Sequence, residues 1–220
     1  MIVTIDGPAG AGKSSVARAL AERLGYRFLD TGAMYRAVAL ALLNHGWDEL
    51  PHDEAARRAE GLTLEFSEHK VELEGRDVTG EIRSLRVTNA TRLAADNPGI
   101  RGQLVELQRR LAEELGNVVT EGRDQGTVAF PDAECKIFLT ATPEERARRR
   151  QLELAANGVE MPRDQLLEQI QQRDAQDEQR AVGRLMQAED AVRICTDGMS
   201  FDQVVERLEQ VVREAARHAD

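Results

Sequence analysis

The chain has 220 residues, of which 41% are hydrophobic and 31% are charged, a composition typical of one folded globular domain. Its 39 acidic residues outnumber its 29 basic residues and give a net charge of −10, which disfavours nucleic-acid binding through a basic face. The longest apolar run, residues 37–43, is too short to cross a bilayer, and the first residues lack the basic start and cleavage site of a signal peptide. We therefore expect a cytoplasmic protein without nucleic-acid or membrane partners, and take a monomer as the default state.

Short β-like runs alternate with longer helical runs along the chain, which is typical of an α/β fold with a parallel sheet. The sequence predicts buried strands, in chain order, at residues 2–5, 26–29, 118–120, 136–139 and 192–195. It predicts helices at 14–24, 33–44 and 100–115, and two more that begin at the capping patterns of Thr142 and Ser200. The predicted architecture is a doubly wound parallel sheet of about five strands.

Residues 61–116 break this alternation. Within them, residues 62–66 and 71–74 alternate apolar and polar side chains with a period of two, which predicts an antiparallel hairpin with one solvated face. The predicted helix at 100–115 follows in the same region. We therefore predict a small α+β lobe at 61–116, inserted into the single α/β domain.

A glycine-rich loop lies between the first predicted strand and the first predicted helix. Residues 7–14 match the pattern Gly-x-x-x-x-Gly-Lys-Ser/Thr, in which small residues let backbone N–H groups converge on phosphate oxygens at a helix N-terminus. Lys13 is predicted to bridge the outer phosphates of a nucleotide, and the Ser14 hydroxyl to hold Mg²⁺. The predicted ATP-binding residues in this loop are Gly7, Pro8, Ala9, Gly10, Ala11, Gly12, Lys13, Ser14 and Ser15.

Two further segments carry polar groups where strands are predicted to end, and ligands bind at that edge of an open α/β sheet. The first opens the second predicted helix, with Thr31 as its N-cap and Arg36 in its first turns. The second, Glu121-Gly-Arg-Asp124, follows the strand at 118–120. Each segment is a candidate acceptor site, and the alternative in each case is an ordinary solvated loop.

Two groups of arginines have helical spacing. Arg173, Asp177 and Arg180 are predicted to share one helix face, and so are Arg146, Arg149 and Arg150. From the spacing alone, an exposed Arg–Asp pair also explains the first group, and a solvated surface also explains the second.

These motifs together resemble the bacterial cytidylate kinase family, of the nucleoside-monophosphate kinase group. The resemblance runs nearly end to end, and its most specific segments are 5–13, 30–36, 122–127 with 130–133, 173–174 and 180–182. It implies transfer of a phosphoryl group from Mg²⁺·ATP to CMP and dCMP. The lobe at 61–116 would then be the monophosphate-binding lobe, residues 146–180 would be a helical lid, and both would close around the nucleotides.

The resemblance also implies roles for individual residues. The catalytic residues would be Lys13, Arg36 and Arg123, while Arg146 and Arg150 would be lid arginines over the ATP phosphates. In the CMP site, Arg36 and Arg123 would hold the phosphate, Arg101 and Asp124 would read cytosine, and Asp177 would lie near the ribose. The full substrate-binding set would be Thr31, Arg36, Arg101, Arg123, Asp124, Arg173, Asp177 and Arg180.

One position departs from the family pattern, and two other functions stay open. Arg92 stands in the segment where the family commonly has a serine near the base. A P-loop kinase for another small acceptor would share the same donor site. A nucleotide-sensing regulator would bind ATP and switch a partner, whereas a GTPase is disfavoured because no lysine follows an asparagine in the chain.

Overall fold

The structure is a computed structural model that describes residues 1–67, 70–156 and 158–219. Internal contacts divide the chain into two compact units. The first unit contains Met1–Phe28, Gly116–Arg180 and the residues from Arg184 onward, and the second contains Leu29–Leu115 and Ala181–Gly183. The region predicted as an inserted lobe falls in the second unit except for its last residue, and the contacts group residues 29–60 with it.

Sixteen helices and strands occur in the described part of the chain, together with two short helical turns. In chain order they are β1 (Ile2–Asp6), α1 (Lys13–Leu24), β2 (Arg27–Leu29), α2 (Thr31–His45), α3 (His52–Glu60), β3 (Leu64–Phe66), β4 (Val71–Leu73), β5 (Arg76–Asp77), α4 (Leu85–Ala95), α5 (Pro98–Leu115), β6 (Val118–Gly122), β7 (Cys135–Thr140), α6 (Pro143–Ala156), α7 (Arg163–Gln179), β8 (Val192–Cys195) and α8 (Phe201–Ala219). A 3-10 turn at Glu81–Arg83 precedes α4, and a π-helical turn at Gln125–Ala129 follows β6.

A five-stranded sheet belongs mainly to the first unit, with the strand order β2-β6-β1-β7-β8. β1 pairs in parallel with β6 on one side and with β7 on the other, and β7 pairs in parallel with β8. The strands that follow β1 in the chain are therefore added first on one side of it and then on the other. Loops at such a switch point form the ligand-binding crevice of open α/β sheets. The predicted parallel α/β architecture and all five predicted strands are confirmed.

Side chains along β1 alternate between the two faces of the sheet. Val3 and Ile5 are fully buried in an apolar core that also contains residues of α1 and α8. The helix predicted to begin near Ser200 is α8, and it packs into this core through Val204, Val205, Leu208, Val211 and Val212. Thr4 and Asp6 point to the opposite face, where they meet the π-helical turn that follows β6.

The second unit has its own apolar core. Helices α2 and α4 pack against each other, and Leu40 and Val87 lie in a core with Val71 and Leu73 of the small sheet. That sheet is antiparallel, with the order β3-β4-β5, so the predicted hairpin is confirmed and a third short strand extends it.

Two helices and one cap differ from the sequence prediction. Helices α3 and α4 were not predicted, because most of their buried side chains are alanines, which produce little hydrophobic periodicity. The prediction that Thr31 caps α2 is wrong. Asp30 is the N-cap and accepts a hydrogen bond from the Ala33 N–H at 2.8 Å, while Thr31 is the first helical residue.

Helices α6 and α7 pack against each other in the first unit. Together they make up most of the region predicted as a lid. Their sequences are rich in charged residues, and the buried side chains include Arg146 and Asp177. In residues 1–67, 70–156 and 158–219, no helix is long and apolar enough to span a membrane.

Candidate active site

The glycine-rich loop between β1 and α1 has the geometry that phosphate binding requires. A side chain at Gly7 would place its Cβ 1.9 Å from the Leu139 carbonyl oxygen, so only glycine allows the loop to leave the sheet here. Gly12 precedes α1 with φ at 85°, a conformation that L-residues rarely adopt. The first turn of α1 contains no acidic residue, so its N–H groups present an uncompensated positive dipole end.

Lys13 begins α1 and is 5% exposed. Its Nζ donates a hydrogen bond to the Pro8 carbonyl oxygen at 2.9 Å, which draws the ammonium group across the loop. Burial, together with the positive charge of Arg123, lowers the pKa of Lys13 to about 7, although Glu121 and Asp6 oppose the shift. A phosphate bound beside this ammonium group would favour its charged form.

Ser14 and Glu121 provide oxygen atoms of the kind that Mg²⁺ prefers. The exposed Ser14 hydroxyl donates to Glu121 Oε1 at 2.8 Å, and Glu121 itself is buried at the end of β6. Sequence reasoning named Ser14 but gave no role to Glu121. The available signal was an acidic side chain at the carboxyl end of a buried strand, the edge at which ligands bind.

Arg123 and Asp124 follow β6, the strand that pairs directly with β1. Arg123 is half-buried and donates from Nε to Asp177 Oδ2 at 2.8 Å, while Asp124 is buried. Since Arg123 acts electrostatically on Lys13, the loops after β1 and β6 form one charged region. The structure thus brings two predicted acceptor residues next to the predicted donor site.

Asp177 holds two arginines at once. Arg180 Nη2 donates to Asp177 Oδ1 at 3.0 Å, on the oxygen opposite the one that Arg123 uses. Burial disfavours the ionised carboxyl group, but the charges of Arg123, Arg180 and Arg173 outweigh it and hold the pKa of Asp177 below its ordinary value. The prediction that Arg173, Asp177 and Arg180 share a helix face is wrong for Arg180, which lies just beyond the end of α7. Arg173 is on the helix and exposed.

Arg146 is buried and fully engaged within the first unit. Its guanidinium group binds both carboxylate oxygens of Asp174, at 2.9 and 2.6 Å, and also donates to the backbone carbonyl groups of Ala9 and Ala141, each at 3.0 Å. The side chain therefore ties α7 and the end of β7 to the phosphate loop. The prediction gave Arg146 a contact with ATP and missed this bracing role.

The other arginines of α6 have surface partners. Arg150 is exposed and pairs with Glu153 one turn away at 2.7 Å. Arg149 pairs with Glu145 at 2.8 Å and donates to the Thr196 carbonyl oxygen, so it connects α6 to the end of β8. An exposed helical pair such as Arg150–Glu153 contributes only a few tenths of a kcal/mol.

The remaining predicted substrate residues lie in the second unit. Thr31 is buried at the start of α2, and Arg36 follows one turn later with its Nη2 3.6 Å from Asp30 Oδ1. The Nε atom of Arg36 is buried and has no hydrogen-bond partner among the described residues. Arg101 on α5 is also buried, with its guanidinium carbon 5.4 Å from the centre of the Tyr35 ring. The second unit thus groups two arginines around the first turns of α2.

Arg92, the residue that departs from the family pattern, lies on α4 in the second unit. Its side chain is exposed and is 3.7 Å from the carboxylate of Asp96, and it lines a surface cavity of about 500 Å³ with Leu42 and Trp47. The neighbouring Thr91 hydroxyl donates to the Val87 carbonyl oxygen at 2.9 Å, within the same helix.

Comparison with known proteins identifies a family over nearly the whole chain. Residues 3–214 match the family model described as cytidylate kinase. A cytidylate kinase of Rhodopirellula baltica is 50% identical over 219 residues, which cover 99% of this chain and 94% of that protein. A cytidylate kinase of Mycobacterium leprae is 47% identical over 216 residues, covering 97% and 96% respectively.

Two further matches concern a longer protein and the fold. A bifunctional pantoate ligase/cytidylate kinase of a Synechococcus species is 49% identical over 96% of this chain, which corresponds to 44% of that protein. A solved structure of an uncharacterized protein from Eubacterium ventriosum matches with a TM-score of 0.54 at 13% identity, covering 97% of this chain and 98% of that one. The second match shows a shared fold.

The brace formed by Arg146 predicts a large effect on stability. Replacing Arg146 with alanine leaves the Asp174 carboxylate without its bidentate partner, so the free energy of unfolding should fall by about 3 kcal/mol or more. The matched variant Arg150→Ala removes an exposed pair and should change it by less than about 0.5 kcal/mol. Urea unfolding of both variants measures the difference, and equal losses would show that Arg146 is not a brace.

Proposed function

The chain belongs to the cytidylate kinase family, and on that premise we propose that it transfers the γ-phosphoryl group of ATP to CMP and dCMP. The observation that carries this assignment is the charged region of the first unit. There the phosphate loop with Lys13 follows β1, and Arg123, paired with Asp177, follows the adjacent strand β6. We further propose that the protein acts in the cytoplasm as a monomer on these small molecules.

The reaction exchanges one P–O bond for another. An oxygen of the CMP phosphate attacks the γ-phosphorus of ATP, the bond from that phosphorus to the bridging oxygen breaks, and ADP leaves with the bonding electrons while CDP forms. The attacking oxygen is largely ionised at neutral pH, because the second pKa of a phosphate monoester is about 6. The acceptor therefore needs no general base, and catalysis consists of positioning and of stabilising the charge that spreads over the transferring group.

The donor side uses the phosphate loop. The backbone N–H groups of residues 7–15, except Pro8, and the ammonium group of Lys13 would hold the ATP phosphates, in a buried setting where each charge interacts strongly. Ser14 and Glu121 would hold Mg²⁺, which neutralises phosphate charge when bound. Arg150 is exposed on α6 and would exchange its pairing with Glu153 for the ATP phosphates, whereas Arg146 would act by keeping the loop in shape.

The acceptor side would use the residues to which the family resemblance gives a role in CMP binding. Arg36 and Arg123 would hold the CMP phosphate, because a guanidinium group presents two parallel donors to phosphate oxygens. Arg101 and Asp124 would read the cytosine, with Thr31 and Arg173 completing the site. Asp177 would lie near the ribose while it keeps the guanidinium groups of Arg123 and Arg180 in place.

Water must be excluded during transfer, because it would otherwise accept the phosphoryl group from ATP. We assign this role to closure of the lid, residues 146–180, over the bound nucleotides. The contact of Arg146 with both Ala9 and Asp174 supports this assignment, since it links the lid helix α7 to the phosphate loop.

A coupled ADP-release assay tests the proposed reaction. We expect ADP release with ATP and CMP present and little release when CMP is omitted, because the acceptor phosphate supplies the attacking oxygen. Release with a different monophosphate or metabolite but not with CMP would identify another kinase. ATP binding without ADP release under any acceptor would favour a nucleotide-sensing regulator.

Replacing Lys13 with alanine tests the donor site. Loss of one buried charge that stabilises the transferring group should lower kcat at least about 100-fold. The melting temperature should stay close to that of the parent chain, because removing a buried ammonium group also removes its desolvation cost. Lys70→Ala, on the exposed end of the small sheet, is the matched control and should leave kcat unchanged. Near-normal turnover of Lys13→Ala would refute the role of Lys13.

A further inference from the structure

Asp6 is a buried carboxylate that none of the steps above uses. It is the last residue of β1, directly before the phosphate loop, and it is 4% exposed. Its two oxygens accept hydrogen bonds from two successive backbone N–H groups, Gln125 to Oδ1 at 2.8 Å and Gly126 to Oδ2 at 2.7 Å. The carboxylate therefore acts as a clamp across the sheet, between residues more than 100 positions apart in the chain.

The clamped segment is the beginning of the π-helical turn, which follows Arg123 and Asp124 without a break. The backbone comes close to β1 here, because a Cβ at Gly126 would lie 3.0 Å from Thr4 Oγ1 and 3.4 Å from Asp6 Oδ2. π-Helical turns are rare in proteins, and those that occur are often found at functional sites. The position of this turn therefore sets where the preceding two residues stand.

A second tie holds the same segment from the side of β6. The Thr120 hydroxyl donates to Gln125 Oε1 at 3.0 Å, so the Gln125 side chain folds back toward β6. A Cβ at Gly122 would lie 2.7 Å from Gln125 Cγ, so glycine leaves room for the Gln125 side chain in this position. Two independent contacts thus fix the backbone that carries Arg123 and Asp124.

Burying the ionised carboxylate of Asp6 costs free energy, because the group loses its hydration. This cost indicates that the carboxylate has a specific role here. Burial raises the pKa of Asp6 to about 7, and the hydrogen bonds from Gly126 and Gln125 partly offset this effect. An asparagine of the same shape would offer only one acceptor and would turn its NH₂ group against the second N–H. Only a carboxylate of this length accepts both N–H groups at once.

We propose that Asp6 is a positioning residue for the acceptor side: by holding the backbone of Gln125 and Gly126 it fixes Arg123 and Asp124 relative to the phosphate loop. This role rests on the proposed function, because it assigns the CMP phosphate and base to those two residues. Both oxygens of Asp6 accept hydrogen bonds from the backbone, so this role requires no contact with either nucleotide. Its effect on Arg123 and Asp124 is transmitted through two hydrogen bonds and one turn of backbone.

The test is the variant Asp6→Asn, with the KM for CMP and the KM for ATP measured separately. The substitution removes one charge-assisted hydrogen bond and turns the asparagine NH₂ group toward a backbone N–H. We expect the KM for CMP to rise at least about tenfold. The KM for ATP should change less than about threefold. Asp190→Asn is the matched control, since Asp190 is 65% exposed and pairs with Lys136, and it should leave both constants unchanged.

A second variant, Thr120→Val, removes the other tie to the same turn and leaves Asp6 in place. It should raise the KM for CMP in the same direction by a smaller factor, about threefold. If the melting curve shows that Asp6→Asn does not fold, the KM for CMP of Thr120→Val becomes the test of the role assigned to the turn. An unchanged KM for CMP in Thr120→Val would then overturn the role assigned to the turn, and a raised one would support it.

The outcomes separate this role from the proposed function. A parent chain that does not phosphorylate CMP contradicts the proposed function. A parent chain that does, with Asp6→Asn unchanged in both constants, overturns the role of Asp6 alone. Equal increases in the two KM values of Asp6→Asn also overturn it, because they indicate a general loss of structure at the sheet edge. A selective increase for CMP supports it.

Discussion

In the parallel ladder between β1 and β6, Asp6 lies opposite Gly122, so the two loops that follow these strands start side by side at the same edge of the sheet. One loop carries the N–H groups and Lys13, and the other carries Arg123 and Asp124. Without this register the donor and acceptor groups of the first unit would have no common location. The switch point beside β1 makes the arrangement possible, as in other open α/β sheets.

The charged groups of this region are held by partners within the chain. Asp177 fixes two arginines, Asp174 fixes Arg146, and Glu121 accepts from Ser14. Phosphoryl transfer needs little covalent chemistry from the protein, so groups that are already oriented are the main source of rate enhancement. Burial of Lys13 strengthens its interaction with phosphate, because water screens its charge less there.

The sequence predicted the features that are local in the chain. The phosphate loop, its flanking strand and helix, and the five strands of the sheet all follow from short patterns, and the structure confirms them. It could not predict the partners of Asp6 and Ser14, which lie 119 and 107 residues away from the side chains that they contact. The sequence likewise could not predict the pairing of Asp174 with Arg146, because it depends on the packing of α6 against α7. Residue types indicated which groups were suited to phosphate, and packing determined which of them brace the site.

The most direct test of the central claim is a calorimetric titration with a compound that joins adenosine and cytidine through a polyphosphate chain. If the donor and acceptor groups share one crevice, one compound should bind per protein chain. It should bind at least about 100-fold more tightly than ATP, because the second half binds without a further loss of translational freedom. Either nucleotide alone should displace it. Binding no tighter than that of ATP, with no displacement by CMP, would contradict a shared crevice.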